Sequence, residues 1–320
     1  MSCSENNTTK GAVIVARHGE RIDYVLRDSE RNWIPTAPRP WDPPLTSRGR
    51  MQGRKLGTYL SKLLTEKGLG PVAAVYSSPM VRCCQTAAEA VIGLTGGEGV
   101  GGDSSLKVKV EPGLVESLNE DWYRSWCLAD SNGTWGGRHP SKSRAKDDED
   151  IDPRAKLPAH SLVWGPHEIA DFLSDEMSSS QLEESDDTKE IHAPFVKNDH
   201  LAALIDVDTV ETDAIYNLQE KPYKYDMFES PESLQDRMEV VTRSLSEKYP
   251  NQTVLLLSHG GPVTHVYKRL TGNNQQGMAT YTSFSIYRPN TDGDKWEALV
   301  SNESCHVKDI ESADHNSSFI

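Results

Sequence analysis

Ala12-Val13-Ile14-Val15-Ala16, followed at once by Arg17-His18-Gly19-Glu20-Arg21, decides how this chain is read. Five consecutive apolar residues form a run short enough for a strand and predict one that is buried. The run stops abruptly, so a histidine held between arginine and glycine falls where the strand ends. In open α/β sheets the carboxyl ends of the strands are where ligands bind. His18 is therefore expected at a working edge.

The same arrangement occurs far down the chain. Thr253-Val254-Leu255-Leu256-Leu257 predicts another buried strand and runs into Ser258-His259-Gly260-Gly261. Between the two, Val72 to Tyr76 predicts a strand that leads to Ser78-Pro79. There a serine cap and a first-turn proline predict the start of a helix carrying Arg82, Thr86, Ala87 and Ala90. Further helices are predicted from about Ser47, with Leu56, Tyr59, Leu60, Leu63 and Leu64 at helical spacing, and from Ser230-Pro231-Glu232, with Leu234, Met238, Val241 and Leu245. The last runs on from His259 to about Leu270. Val108 to Val110, Thr282 to Tyr287 and Trp296 to Val300 complete the expected strands. Ile22 to Pro44, rich in Pro, Trp and Arg, reads as an irregular loop, and Gly96 to Gly102 as a glycine-rich turn. Strands alternating with helices predict an α/β fold, a three-layer α/β/α sandwich around a mostly parallel central sheet.

The expected organisation is a polar leader over 1–10, a single domain over 11–304 and a polar tail over 305–320. From about 128 to 200 the chain is acidic, Ser-rich and short of aliphatics, with runs such as Asp147-Asp148-Glu149-Asp150. This stretch is expected to be an insertion, partly disordered. No internal repeat is visible.

Composition narrows the function. The 320 residues are 36% apolar and 26% charged, with a net charge of -14. So acidic a chain is poorly suited to nucleic acid or to anionic membrane surfaces. It can still bind an anionic substrate if a few arginines are concentrated in one pocket. Five cysteines, Cys3, Cys83, Cys84, Cys127 and Cys305, are an odd number without framework spacing and are expected as reduced thiols. No Cys/His cluster has zinc-ligand spacing. No run is long and apolar enough to span a bilayer. A cytoplasmic protein without metal or cofactor is expected.

Arginine completes the chemistry. Arg17 and Arg21 flank His18, and Arg82 lies in the first turns of the helix after Ser78-Pro79. A guanidinium is a planar, always-charged fork suited to phosphoryl oxygens, and helix N-termini attract anions. For Arg21 and Arg82 the competing reading is an ion pair with a neighbouring acid. Trp33 and Trp41 fit either a substrate entrance or a packed loop, and Trp122 and Trp126 either structure or a cap.

Arg17-His18-Gly19 after a strand, Arg82 in Ser77-Ser78-Pro79-Met80-Val81-Arg82, and Ser258-His259-Gly260 after another strand together resemble the histidine phosphatase superfamily, in its phosphoglycerate-mutase-like branch. Arg17-His18-Gly19-Glu20-Arg21 and the Glu111-Pro112-Gly113-Leu114 segment are most similar to the phosphatase domains of the suppressor of T-cell receptor signalling (ubiquitin-associated and SH3 domain-containing) proteins. This chain departs from them in showing no such accessory module and in its acidic insertion. The resemblance implies a metal-independent phosphomonoester hydrolase with His18 as nucleophile. Arg17, Arg21, Arg82 and His259 would form the phosphate pocket and Glu116 would be the proton donor, with Glu111 its near rival. Asp42-Pro43-Pro44-Leu45-Thr46 resembles a segment that positions the following helix. A phosphorylated small molecule or phosphoprotein is the implied partner. A phosphoglycerate-type mutase, a sugar-bisphosphate phosphatase and a silent phosphate-binding module are the alternatives.

Overall fold

The structure, a computed structural model, describes residues 11–28, 41–96, 106–117, 165–174, 199–208, 229–274, 277–290 and 296–310. Leader residues 1–10, the acidic run 147–150, Trp33, Trp122 and Trp126, Cys3 and Cys127, and tail residues 311–320 lie outside them.

Six strands form one sheet: β1 (Ala12–Arg17), β2 (Val72–Ser77), β3 (Val108–Val110), β4 (Thr253–Ser258), β5 (Phe284–Pro289) and β6 (Trp296–Glu303). They lie in the order β3-β2-β4-β1-β5-β6. The pairs β2–β3, β2–β4 and β1–β4 are parallel, whereas β5 runs antiparallel to both β1 and β6. Only β5 therefore opposes the common direction, and the sheet is mostly parallel as expected. Its interior strands are apolar on both faces, as a sheet covered by helices on both sides requires.

Alternation along β1 sorts its side chains into two cores. Ile14 and Ala16 join Val75, Leu255 and Leu257 under α2 (Ser47–Glu66) and α3 (Val81–Leu94). Val13 and Val15 join Val254 and Leu256 under α6 (Pro231–Lys248) and α7 (Gly260–Thr271). Three layers follow directly from period-2 burial on the central strands.

The register between β1 and β4 positions the chemistry. Arg17 faces Ser258 across the ladder, so the next residue on each strand is a histidine. The His18 amide donates to the Ser258 carbonyl at 3.0 Å. Two histidines distant in sequence leave neighbouring parallel strands side by side.

Several expectations change. The loop expected from Ile22 begins with a helix, α1 (Ile22–Asp28), because Ile22 and Leu26, four apart, are both buried. Two short helices, α4 (Pro166–Ser174) and α5 (Asp199–Ala202), lie within or at the edge of the stretch expected as an insertion. Ile169 and Leu173 are buried in the α2/α3 core beside Leu201 and Ile205, and Ile205 bridges Val108 in parallel. Acidic composition averaged over the whole stretch conceals that local i, i+4 pair. The helix expected to be capped by Ser78 starts instead at Val81, with Met80 at the cap position and no side-chain cap bond. The Ser78 hydroxyl is engaged elsewhere. The strand expected from Thr282 starts at Phe284, since Thr282 has φ 54° and is not extended. Among the described residues no helix is long and apolar enough to cross a membrane.

Candidate active site

The site is built around the imidazoles of His18 and His259, whose ring centroids are 5.4 Å apart at 68°. Both are buried, at 2% and 1% exposure. His18 Nδ1 lies 2.7 Å from its neighbour Gly19's carbonyl oxygen. A carbonyl only accepts, so Nδ1 carries the proton and Nε2 keeps its lone pair. Burial, and then the positive fields of Arg82, Arg17, His259 and Arg21, hold the His18 pKa well below the ordinary imidazole value. His18 is neutral at neutral pH, with the free lone pair on Nε2.

His259 has the opposite tautomer. Arg82 Nη2 donates to its Nδ1 at 3.2 Å, so Nδ1 accepts and Nε2 holds the proton. Ser78 Oγ lies 2.7 Å from that Nε2 and takes the bond. Burial first, then Arg82, Arg21 and Arg17, push its pKa well down as well.

Of the three arginines expected in a phosphate pocket, Arg17 and Arg82 have their guanidinium groups fixed by the fold. Arg82 Nη1 reaches Asp42 Oδ1 at 3.3 Å, and the same oxygen accepts the Val81 amide at the start of α3. Asp42 thus positions α3 and Arg82, while Thr46 caps α2 by accepting the Gly49 amide. Arg17 donates through Nη1 to the Ala279 carbonyl at 2.7 Å and lies over the Tyr281 ring at 4.6 Å. Arg21 is near enough to depress both histidines, but its Nε and Nη2 edge is held by Asp23 at 3.0 and 2.6 Å, and it stacks on Tyr24 at 4.4 Å. Of the two readings of Arg21, the ion pair with a neighbouring acid is the one seen, formed close to both histidines. Trp41 is buried at 6% exposure and belongs to a packed segment.

The sequence left two glutamates open, and they have different surroundings. Glu111 is fully buried and turns its Oε1 to the Gly113 amide at 2.9 Å, capping the 3-10 turn Pro112–Leu114. Glu116 accepts only the adjacent Ser117 amide among the bonds described, at 3.0 Å, and lies against the first turn of α7. A Cβ built on Gly261 would meet Glu116 Oε1 at 2.9 Å. Burial is the largest influence on Glu116 and raises its pKa above the ordinary carboxylate value, outweighing the Ser117 bond and Arg82, Arg237 and Arg17. Leu118, expected to add to its apolar surroundings, lies outside the described residues.

Four supporting residues were not anticipated. Ser78 fixes His259. Arg237 on α6 donates to the carbonyls of Gly113 and Val115 and pairs with Glu229, holding the segment that carries Glu116. Tyr281 packs beneath Arg17 with its centroid 6.0 Å from His18. Thr282 follows it with φ 54°, a conformation that costs a β-branched residue about 1–3 kcal/mol. Glycine is required where the His18 loop meets α2, because a Cβ on Gly19 would collide with the Gly49 carbonyl and one on Gly49 with the Glu20 carbonyl.

A family model described as the histidine phosphatase superfamily (branch 1) matches residues 13–125 and 167–304. Mouse ubiquitin-associated and SH3 domain-containing protein A is 30% identical over 178 residues, which cover 48% of this chain and 26% of that protein. Drosophila melanogaster ecdysteroid-phosphate phosphatase is 29% identical over 177 residues, covering 47% and 20% respectively. The chain thus spans about a quarter or less of these curated relatives. Among solved structures, Bacillus stearothermophilus YhfR aligns over 93% of this chain and 100% of its own, at 16% identity and a TM-score of 0.47.

Proposed function

The chain belongs to branch 1 of the histidine phosphatase superfamily, and we propose that it hydrolyses phosphomonoesters through a phosphohistidine formed on His18. The observation that carries this reading is the His18 tautomer. Its Nδ1–H is tied to the Gly19 carbonyl, so Nε2 is unprotonated, and the imidazole lies in the positive field of Arg82, Arg17 and Arg21. An anionic phosphate is drawn to that positive field, and a neutral imidazole is the form that attacks phosphorus.

In the first step Nε2 of His18 attacks phosphorus in line, the N–P bond forms and the ester P–O bond breaks. The electron pair leaves on the alcohol oxygen, which takes a proton from Glu116. Burial keeps that carboxyl protonated to higher pH than an exposed glutamate, as a general acid requires. In the second step Glu116, now a carboxylate, takes a proton from water, the water oxygen attacks phosphorus, and the N–P bond breaks to release phosphate. Arg17 and Arg82 hold the phosphoryl oxygens as charge moves, and His259 joins them by turning its Nε2–H from Ser78 to a phosphoryl oxygen. Arg21 contributes its Nη1 edge, since Asp23 holds Nε and Nη2. These groups supply the field without a metal. The substrate is a phosphorylated small molecule or a phosphoprotein.

The test is hydrolysis of para-nitrophenyl phosphate by the purified chain in EDTA, beside His18→Ala. Turnover by the wild type and none by the variant is the expected result. Undiminished turnover by His18→Ala would discard the nucleophile, and a folded wild type with no turnover would favour a narrow mutase or a silent module.

A further inference from the structure

Among the described residues, three other than glycine have positive φ: Asn251, Thr282 and Asn302. Asparagine tolerates that region, but a β-branched residue does not. Thr282 is also fully buried and adjoins the site. Glycine or asparagine would satisfy the turn without strain, so the threonine is to be explained by its hydroxyl.

That hydroxyl lies in a directed chain. Thr282 Oγ1 donates to its neighbour Tyr281's carbonyl at 2.8 Å. With its proton committed there, the oxygen accepts from His306 Nε2, 3.1 Å away. His306 is held in turn. Its ring stacks on Tyr59 of α2, with centroids 5.6 Å apart at 24°, and lies 5.8 Å from Phe284. Glu303 fixes the backbone before it by accepting the Ser304 and Cys305 amides at 2.8 and 2.7 Å.

The other end of the chain of bonds reaches the nucleophile. The Thr282 amide donates to the His18 carbonyl at 3.2 Å, and the Ser283 carbonyl accepts the Arg17 amide at 3.0 Å. Tyr281, the residue before, lies beneath the Arg17 guanidinium. If Thr282 relaxed to negative φ, its amide would turn away from His18 and Tyr281 would leave Arg17. We propose that His306 is a positioning residue for the nucleophile, locking Thr282 in its strained conformation so that the 281–283 segment holds Arg17 and His18 in place. His306 lies beyond residue 304, where the family match ends. Nothing in that match assigns it a role.

The inference rests on the phosphatase reading, so the test has a readout independent of turnover. In the full chain, His306→Phe retains the aromatic packing and removes the donor, whereas His306→Gln restores an N–H. Hydrolysis of para-nitrophenyl phosphate, the thermal midpoint and the His18 ring resonances by NMR are followed together. His306→Phe is expected to lower kcat/KM about tenfold, the scale of one lost hydrogen bond, mostly in kcat, and to shift the His18 resonances. His306→Gln recovers most of the loss. In a Thr282→Gly background, His306→Phe has no further effect, because the two residues act in series. If His306→Phe fails to fold, Thr282→Val, isosteric and without the hydroxyl, tests the same bond with the same expectation. Unmoved His18 resonances in a folded variant overturn this inference, as do losses from the two sites that simply multiply. A wild type without turnover overturns the phosphatase reading alone, and the resonances still decide this one.

Discussion

Gly261→Ala should make the protein more stable and a poorer enzyme, and the two effects have separate structural causes. Gly261 is the second residue of α7, so alanine removes chain entropy from the unfolded state and favours the helix, a gain of up to about 0.5–1 kcal/mol. The new methyl would lie 2.9 Å from Glu116 Oε1, whereas ordinary van der Waals contact begins at 3.4 Å. The carboxyl must retreat by about half an ångström. If a displacement of about 1 Å from productive geometry costs about a hundredfold, half of it costs about tenfold, or about 1.4 kcal/mol in the barrier. That loss falls only where proton donation limits the rate. The assay compares kcat/KM for para-nitrophenyl phosphate, a good leaving group, with that for an alkyl phosphate, a poor one, alongside the thermal midpoint. Expected are a midpoint equal to or above wild type, little change for the aryl ester and about a tenfold loss for the alkyl ester. Equal losses for both esters, or none for the alkyl ester, would refute the placement of Glu116 as the acid.

Arg237→Met removes the donor to two backbone carbonyls and leaves Glu229 unpaired, which should cost about 3–5 kcal/mol in a denaturant titration. The rate as a function of pH should be bell-shaped. Its acid limb lies below 6.5, because His18 must lose its proton and its pKa is depressed; its alkaline limb lies above 4.5, because Glu116 must keep its proton and its pKa is raised. Glu116→Gln should remove the alkaline limb, which kcat/KM measured across pH would show. Burial, opposed by Glu303 and aided by Lys55, brings His306 down to about 4 from 6.5. The folded state therefore resists a proton that the unfolded chain takes up below 6.5, and stability should fall by about 3 kcal/mol between pH 7 and pH 4 on this account. His306→Phe should flatten the corresponding part of a curve of unfolding free energy against pH.

The sheet was legible in the sequence because its central strands β1 and β4 are continuous apolar runs, and each leads into a histidine. Helices α2 and α6 were legible for a similar reason, since Leu56, Leu60 and Leu64, and Leu234, Met238, Val241 and Leu245, keep a strict helical spacing. Short elements were harder to see. In α1 and α4 a single i, i+4 pair, Ile22 with Leu26 and Ile169 with Leu173, must stand out against polar or irregular surroundings. Ser78 was misread because Ser-Pro is an ordinary helix start, and nothing local shows that its hydroxyl serves a histidine 181 residues away. The Arg21–Asp23 pair could have been anticipated, as the two are only two residues apart. The residues alone do not separate Glu111 from Glu116, and only the resemblance names Glu116, because what distinguishes them is tertiary: Glu111 caps its own turn and Glu116 faces α7.

The central claim is a covalent phosphoryl group on His18. Rapid quench of the enzyme with radiolabelled phosphomonoester, followed by peptide mapping, tests it most directly. An acid-labile, base-stable label is expected on the peptide carrying His18, formed and lost at rates that match turnover and absent in His18→Ala. Turnover with no label, or a label on another residue, would contradict it.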